Sequence, residues 1–216
     1  NQHKNKMMQN YFSTSLKVIL YLILLFTNIK GFSQTVLVEG DIALTRINMD
    51  DDSFSFVVLV PIANTTQFII TDEAWNGFSL LTNESAITFT ATSSFTAGEE
   101  ISITTAFSLG FTSTGAGTAT LTSTGSNNPI GGNMLGAAGD NIFIYQTTPP
   151  GENDFISGIN ANGGVTGSPG NAWSLSSSSS NSFLPAGLTN GTNALGIFPS
   201  DGAQSEVDNA RYKSTA

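Results

Sequence analysis

The chain has 216 residues, of which seven are Lys or Arg, sixteen are Asp or Glu, one is His and none is Cys. Without cysteine there are no disulfides and no thiolate metal ligands, and a domain of this length buries enough apolar surface to be stable without them. The formal charge of −9 argues against nucleic acid and anionic lipid headgroups as partners, because like charges repel.

Residues 1–33 have the pattern of a leader for export. Basic residues precede the apolar run at 18–26, and a polar stretch with small residues at Gly31 and Ser33 follows it. This order is typical of a secretory signal peptide, which we expect to form a helix and to be cleaved after Ser33. The apolar run of nine residues is shorter than the ~20 residues of a transmembrane helix, so no membrane span is expected after cleavage. The predicted location is the cell surface or the exterior.

The two ends of the sequence carry further expectations. We expect translation to begin at Met7 or Met8, which places residues 1–6 before the native start. A strand-like run at 208–213 lies close to the last residue. We therefore expect residues 34–216 to be a single domain that is truncated at its C-terminus.

Short runs rich in Val, Ile, Phe and Thr fill this domain, with Gly, Asn, Pro and Asp between them. Such runs predict β-strands. The predicted strands are 36–38, 42–47, 53–60, 67–71, 86–90, 100–105, 118–122, 141–145 and 154–159, with a further short one at 194–197. We predict an all-β fold, a two-sheet antiparallel sandwich of about eight to ten strands with Greek-key-like connections.

Sequence pattern also predicts burial. The runs at 53–60 and 141–145 are almost continuously apolar, which is typical of central strands covered on both faces. Two segments rich in Gly, Asn and Ser, at 123–139 and 162–181, are predicted to be long loops that fold back on the sandwich.

Seven short motifs follow one another through the domain. They are GDIA at 40–43, DSFSFV at 52–57, FIITD at 68–72 with Trp75, GDNIFIYQ at 139–146, FISGIN at 155–160, LPAGL at 184–188 and DNARY at 208–212. In this order they resemble β-sandwich modules of large secreted or surface proteins of Bacteroidota and cyanobacteria. Such modules occur near lamin-tail-like domains, calcium-binding repeats, secreted nucleases or phosphatases, and type IX sorting domains. The resemblance implies an accessory module at the cell surface and transfers no catalytic residue.

Removal of the leader limits the available chemistry. The only histidine, His3, lies in the leader, and residues 34–216 keep three basic side chains against all sixteen acidic ones, a formal charge of 3 − 16 = −13. Serine and cysteine hydrolases use an imidazole as general base, and tetrahedral zinc needs His or Cys ligands. We therefore predict that the domain is not an enzyme and requires no cofactor.

Acidic residues that flank two predicted strands form the candidate metal site. They are Asp50, Asp51, Asp52, Asp72 and Glu73. Calcium prefers six to eight oxygen ligands, so these carboxylates predict a calcium site if their loops meet at one end of the sandwich. Two Asp-Asn pairs, at 140–141 and 208–209, could supply further oxygens. The same acids have two alternative roles, as solvated turn residues or as a carboxylate pair that hydrolyses glycosides.

Two tryptophans are the candidate ligand-stacking residues. Trp75 and Trp173 could stack on sugar rings if both are exposed, and the alternative is that they anchor loops to the core. The predicted function is a non-catalytic extracellular or cell-surface module for adhesion, display or ligand binding, as part of a longer secreted protein. Its expected partner is a glycan or a surface protein. The alternatives are an accessory domain of a secreted hydrolase of nuclease or phosphatase type, and a carbohydrate-binding module.

Overall fold

The computed structural model describes residues 33–106, 109–125, 134–137, 139–162, 173, 177–197 and 207–213, together with Lys4 and Lys17. The chain divides into two compact units, Asn1–Phe32 and Ser33–Ala216. In the first unit, Lys4 and Lys17 are helical and exposed. Within the described part of the chain, no helix is long and apolar enough to cross a membrane.

The second unit is an all-β sandwich, and its described residues form eleven strands. These are β1 (Ile42–Asn48), β2 (Ser53–Val58), β3 (Gln67–Thr71), β4 (Ser85–Ala91), β5 (Glu100–Thr104), β6 (Gly110–Ser113), β7 (Ala119–Gly125), β8 (Asn141–Tyr145), β9 (Phe155–Asn160), β10 (Ala194–Gly196) and β11 (Asn209–Arg211). Sheet 1 has the order β11-β1-β2-β5-β6 and sheet 2 the order β10-β9-β8-β3-β4-β7. The predicted fold class, an all-β two-sheet sandwich, is confirmed.

The main core lies between the sheets and depends on the alternation of side chains along each strand. On β2, Phe54, Phe56 and Val58 are fully buried. The ring of Phe56 packs edge-on against Phe68 of β3 at 5.8 Å between centroids, and Phe68 stacks on Phe89 of β4 at 4.5 Å. Burial of each such side chain stabilises the fold by roughly 1.5–3 kcal/mol. The predicted central position of β2 is confirmed, since it pairs with β1 and β5.

A second hydrophobic cluster covers the other face of sheet 2. It consists of Trp75, Phe143, Tyr145, Phe155, Trp173, Leu188 and Ala194. Because Ile142 and Ile144 face the main core, β8 is buried on both faces, as its apolar sequence predicts. The close contact of β9 with this cluster requires glycine at one position, because a Cβ on Gly158 would lie 2.9 Å from the ring of Phe143.

Several details differ from the sequence prediction. Segment 36–38 is not a strand, because its backbone N–H groups bond to side chains and not to a neighbouring strand. Leu37 N, for example, donates to Gln146 Oε1 at 2.9 Å. Strand β6 was not predicted, and β10 pairs with β9 in parallel, whereas we predicted antiparallel pairing throughout. The strand-like run at 208–213 does form a strand, β11. Of the two predicted loops, residues 126–133, 138, 163–172 and 174–176 lie outside the described residues.

Candidate functional site

The ends of three neighbouring strands of sheet 2 bring acidic residues together. Strand β3 runs antiparallel to both β4 and β8, with Thr71 opposite Ala86 and Phe143. The residues that follow β3 and those that precede β4 and β8 therefore lie at the same end of the sheet. We call this the acidic end and define it by the residues Asp72, Glu73, Glu84, Asp140 and Asn141.

Backbone amides hold the carboxylates that follow β3. Asp72 is 3 % exposed and its Oδ1 accepts a hydrogen bond from Ser85 N at 2.7 Å. Glu73 accepts from Glu84 N at 2.7 Å and from Asn83 N at 3.1 Å. These bonds tie the end of β3 to the start of β4 and give both carboxylates defined orientations.

The start of β8 supplies the other side of the acidic end. Asp140 is 3 % exposed and accepts hydrogen bonds from Gly136 N at 2.7 Å and Asn141 N at 2.8 Å. The side chain of Asn141 is fully buried, and its Nδ2 donates to the Asp72 carbonyl at 2.8 Å. Asn141 Oδ1 makes no hydrogen bond within the described structure. Asn141, whose amide oxygen is buried without a hydrogen-bond donor, is thus bonded to both Asp72 and Asp140.

Burial shifts the titration of these acids upward, because the charged form loses its hydration. Desolvation and the charge of Asp140 raise the pKa of Asp72 to about 8. Desolvation, followed by the charges of Asp140 and Asp72, raises the pKa of Glu84 to about 9. Desolvation, with a smaller contribution from the charge of Asp52, raises the pKa of Asp140 to about 7, against the effect of its two amide bonds. The charge of Asp140 therefore opposes ionisation of both Asp72 and Glu84.

The structure separates Asp50 and Asp51 from the other acids of the predicted calcium site. Asp50 and Asp51 are exposed in the β1–β2 turn of sheet 1, where Asp51 lies 3.7 Å from Arg46. Asp52 is buried and accepts hydrogen bonds from Met134 N and Leu135 N. Asp72 and Glu73 belong to the acidic end of sheet 2. In the described part of the chain, no three Asp, Glu, His or Cys side chains converge closely enough to hold a metal ion as they stand.

The two candidate stacking residues are both buried. Trp75 is 2 % exposed and Trp173 is 7 % exposed. Trp75 packs edge-on against Phe155 at 5.1 Å, and Trp173 stacks on Phe143 at 5.9 Å. They occupy the second hydrophobic cluster, so they lack the exposure that stacking on a sugar requires and match the alternative of loop anchors.

A groove of about 570 Å³ lies on the outer face of sheet 2. Its floor includes Ile69, Thr88 and Thr124 of three strands, and its walls are segments 79–82 and 148–150. Glu73 and Tyr145 also line it. The groove therefore begins beside the acidic end, and the charge of Glu73 adds to burial in raising the pKa of Tyr145 to about 12.

The turn just before segment 79–82 carries an exposed aromatic side chain that the sequence did not single out. Phe78 is 92 % exposed in a turn that Asn76 stabilises, since its Oδ1 accepts hydrogen bonds from Phe78 N and Ser79 N. Gly77, with φ of 94°, permits the left-handed backbone that this turn needs. The turn thus presents Phe78 on a constrained backbone.

Sequence reasoning missed two other features of this region. Glu84 belongs to the acidic end but precedes β4 in a polar loop with no motif. The groove depends on side chains from β3, β4, β7 and β8, which are distant in the chain. Only the pairing register could reveal either feature.

Comparison with protein-family models, curated proteins and solved structures finds no match for this chain. Its fold and site define it as an all-β sandwich with a buried acidic end and an outer groove. The resemblance to secreted surface modules of Bacteroidota and cyanobacteria stays a prediction.

Proposed function

We propose that this chain is a non-catalytic binding module of an exported protein and that the groove on sheet 2 holds its ligand. The observation that supports this proposal is the groove itself. Its volume of about 570 Å³ lies in the range of about 300–1,000 Å³ that is common for small-ligand sites. The ligand in this proposal is a short stretch of a glycan on the cell surface or in its surroundings.

The lining of the groove suits a glycan. Threonine hydroxyls from Thr88 and Thr124 stand among apolar side chains. A hydroxyl both donates and accepts hydrogen bonds, as sugar hydroxyls do, and the apolar surface matches the C–H faces of the rings. Phe78 is exposed and directly precedes Ser79 of the wall in the chain, so it offers an aromatic face next to the groove in place of the buried tryptophans.

Glycan-array binding tests the proposal, with Thr88→Arg as the blocking variant. Thr88 is half-buried on the floor of the groove, so a long charged side chain there fills the space. We expect at least about a tenfold loss of affinity, which corresponds to about 1.4 kcal/mol. Phe78→Ala should weaken binding to a smaller extent.

The matched control is Thr112→Arg, since Thr112 is exposed on β6 of the other sheet. It should bind like the unmodified chain. Equal binding by Thr88→Arg and Thr112→Arg contradicts the assignment of the groove. An array on which no glycan binds, combined with capture of a purified surface peptide, contradicts the glycan assignment and favours a peptide ligand.

A further inference from the structure

We propose that the acidic end binds one divalent cation of the calcium type, with Asp72, Glu84, Asp140 and Asn141 as its side-chain ligands. This inference goes beyond the proposed glycan-binding function and does not depend on it. It revises the metal site predicted from sequence, because Asp50 and Asp51 are excluded and Asp140 is included. It rests on two independent observations: the buried carboxyl groups of Asp72 and Asp140 form no ion pair among the described residues, and the buried amide oxygen of Asn141 has no donor.

Asp72 and Asp140 form no ion pair among the described residues, where the one ion pair joins Arg46 to Asp51. From Ser33 onward the sequence contains three basic residues, Arg46, Arg211 and Lys213. The first two belong to β1 and β11 of sheet 1, and Arg211 and Lys213 are exposed. Buried carboxylates require a partner or a metal ion to remain charged. In their ionised forms, Asp72 and Asp140 therefore need a positive charge that the described residues of this domain do not supply.

Asn141 provides the second observation, which itself indicates a ligand. Its amide is fixed on one side, since Nδ2 donates to the Asp72 carbonyl at 2.8 Å, while its backbone N–H binds Asp140 Oδ1 at 2.8 Å. The amide oxygen is held in the acidic end with no hydrogen-bond donor in the described structure. A fully buried acceptor without a partner is unusual in a native fold, and a cation satisfies it as a donor would.

The bonds already present orient the ligands without consuming them. Asp140 accepts hydrogen bonds from Gly136 N and Asn141 N, and Asp72 Oδ1 accepts from Ser85 N. Each carboxylate oxygen has a further lone pair available for a cation. Because no three acids converge as they stand, ion binding requires a side-chain rotation. Glu84 is the candidate to move, since it is half-buried in the loop before β4.

The donor set selects the class of ion. Carboxylate and amide oxygens are the ligands of hard cations, and an irregular arrangement suits calcium, which tolerates variable geometry, better than magnesium, which requires a near-ideal octahedron. Zinc is disfavoured because residues 33–216 contain neither His nor Cys. We therefore expect calcium to bind more tightly than magnesium.

Equilibrium dialysis of the purified chain against calcium chloride tests the proposal directly. We expect one calcium ion per chain and a Tm that is higher in excess calcium than in excess EDTA, since a ligand of the native state stabilises it by mass action. Terbium chloride offers a second readout, because Trp75, three residues after Asp72, can sensitise its luminescence and calcium should lower that luminescence by displacing terbium.

Three variants and a matched pair of controls assign the site. Asp72→Asn, Asp140→Asn and Glu84→Gln should each weaken calcium binding at least tenfold and remove most of the calcium-dependent rise in Tm. The controls, Asp50→Asn and Asp51→Asn, remove exposed acids of the β1–β2 turn and should bind calcium like the unmodified chain.

The outcomes decide the proposal either way. If the unmodified chain binds no calcium and its Tm is the same in calcium and EDTA, the proposal is overturned. The proposal is also overturned if Glu84→Gln and Asp140→Asn bind calcium normally while the control variants lose calcium binding. That result would place the ion at the β1–β2 turn of sheet 1. If a buried-site variant fails to fold, Glu84→Gln decides, since Glu84 is the least buried of the three acids.

Discussion

Two buried acids of this domain have pKa values that are shifted in opposite directions. Asp140 has its pKa raised by burial, whereas the pKa of Glu99 is lowered to about 2 by hydrogen bonds, first of all from Thr96. Glu99 accepts from the backbone N and the Oγ1 of Thr96 at 2.7 Å each, and from Ser113 Oγ and Gly117 N at 3.0 Å each. Four donors on one carboxylate favour its charged form.

The lowered pKa of Glu99 predicts a pH dependence. The folded value of about 2 lies below the ordinary value of 4.5, so the stabilisation is present above pH 4.5 and is lost as pH falls toward 2. Glu99→Gln should therefore lower Tm at pH 6, and the difference from the unmodified chain should shrink toward pH 2. Thermal unfolding followed by circular dichroism measures this difference in Tm. The control variant is Glu39→Gln, since Glu39 is exposed. A difference that is constant over this range contradicts the assignment.

A single added methyl group tests the contact between β9 and the second hydrophobic cluster. In Gly158→Ala, the new Cβ would lie 2.9 Å from the Phe143 ring and 3.3 Å from Leu188 Cδ1. Overpacking of this kind costs roughly 1–3 kcal/mol of unfolding free energy. Urea denaturation measures the loss. The control is Gly110→Ala in β6, where the nearest atom, Thr104 Cβ, is 3.6 Å away and little change is expected.

At the scale of elements, the β1–β2 turn joins parts of the chain that are distant in sequence. Asp52 has a left-handed backbone, with φ of 47°. Its carboxylate accepts hydrogen bonds from Met134 N and Leu135 N, and its carbonyl oxygen accepts from the N and the Oγ1 of Thr105. Asp52, one of the acids of the metal site predicted from sequence, therefore holds distant segments of the chain together through hydrogen bonds.

Substitution of Asp52 separates the effect of its hydrogen bonds from that of its left-handed backbone. Asp52→Ala leaves two buried amides, those of Met134 and Leu135, without an acceptor. Each unsatisfied amide should lower the unfolding free energy by about 1–3 kcal/mol. Asp52→Gly loses the same bonds but fits the left-handed backbone, so it should be less destabilised than Asp52→Ala by about 1 kcal/mol. Chemical denaturation of the two variants measures the difference, and the reverse order would contradict this account.

At the scale of the whole molecule, charge repulsion outweighs ion pairing. The domain carries a formal charge of −13 from 3 − 16, and the described residues contain one ion pair, Arg46 with Asp51 at 3.7 Å. Salt screens repulsion between surface charges, with a Debye length of about 10 Å at 0.1 M. Monovalent salt should therefore stabilise the native state.

A salt titration in EDTA tests this expectation. Between low salt and about 0.2 M sodium chloride, a range over which screening changes strongly, we expect Tm to rise by roughly 2–4 °C, equivalent to about 1 kcal/mol for a domain of this size. Sucrose at equal osmolality controls for hydration effects. A fall in Tm with salt indicates that attractive pairs dominate instead.

The sequence by itself determined the class of fold and the position of most strands. The predicted strands at 67–71 and 141–145 match β3 and β8 residue for residue. These features follow from local pattern, because alternating or continuous apolar residues report which faces are buried. Strand β6 escaped prediction because its four residues, Gly110–Ser113, carry one large apolar side chain.

Only the tertiary structure decided which polar and aromatic residues meet. Asp72 and Asp140 are far apart in the chain, yet the antiparallel register of β3 with β8 places them at the same end of sheet 2. Asp50 and Asp51 are instead exposed in the β1–β2 turn of sheet 1. The tryptophans are core residues because loops cover the outer face of sheet 2. Local pattern predicts that a side chain is buried, but its neighbours depend on strand order, register and loop path, which join distant parts of the chain.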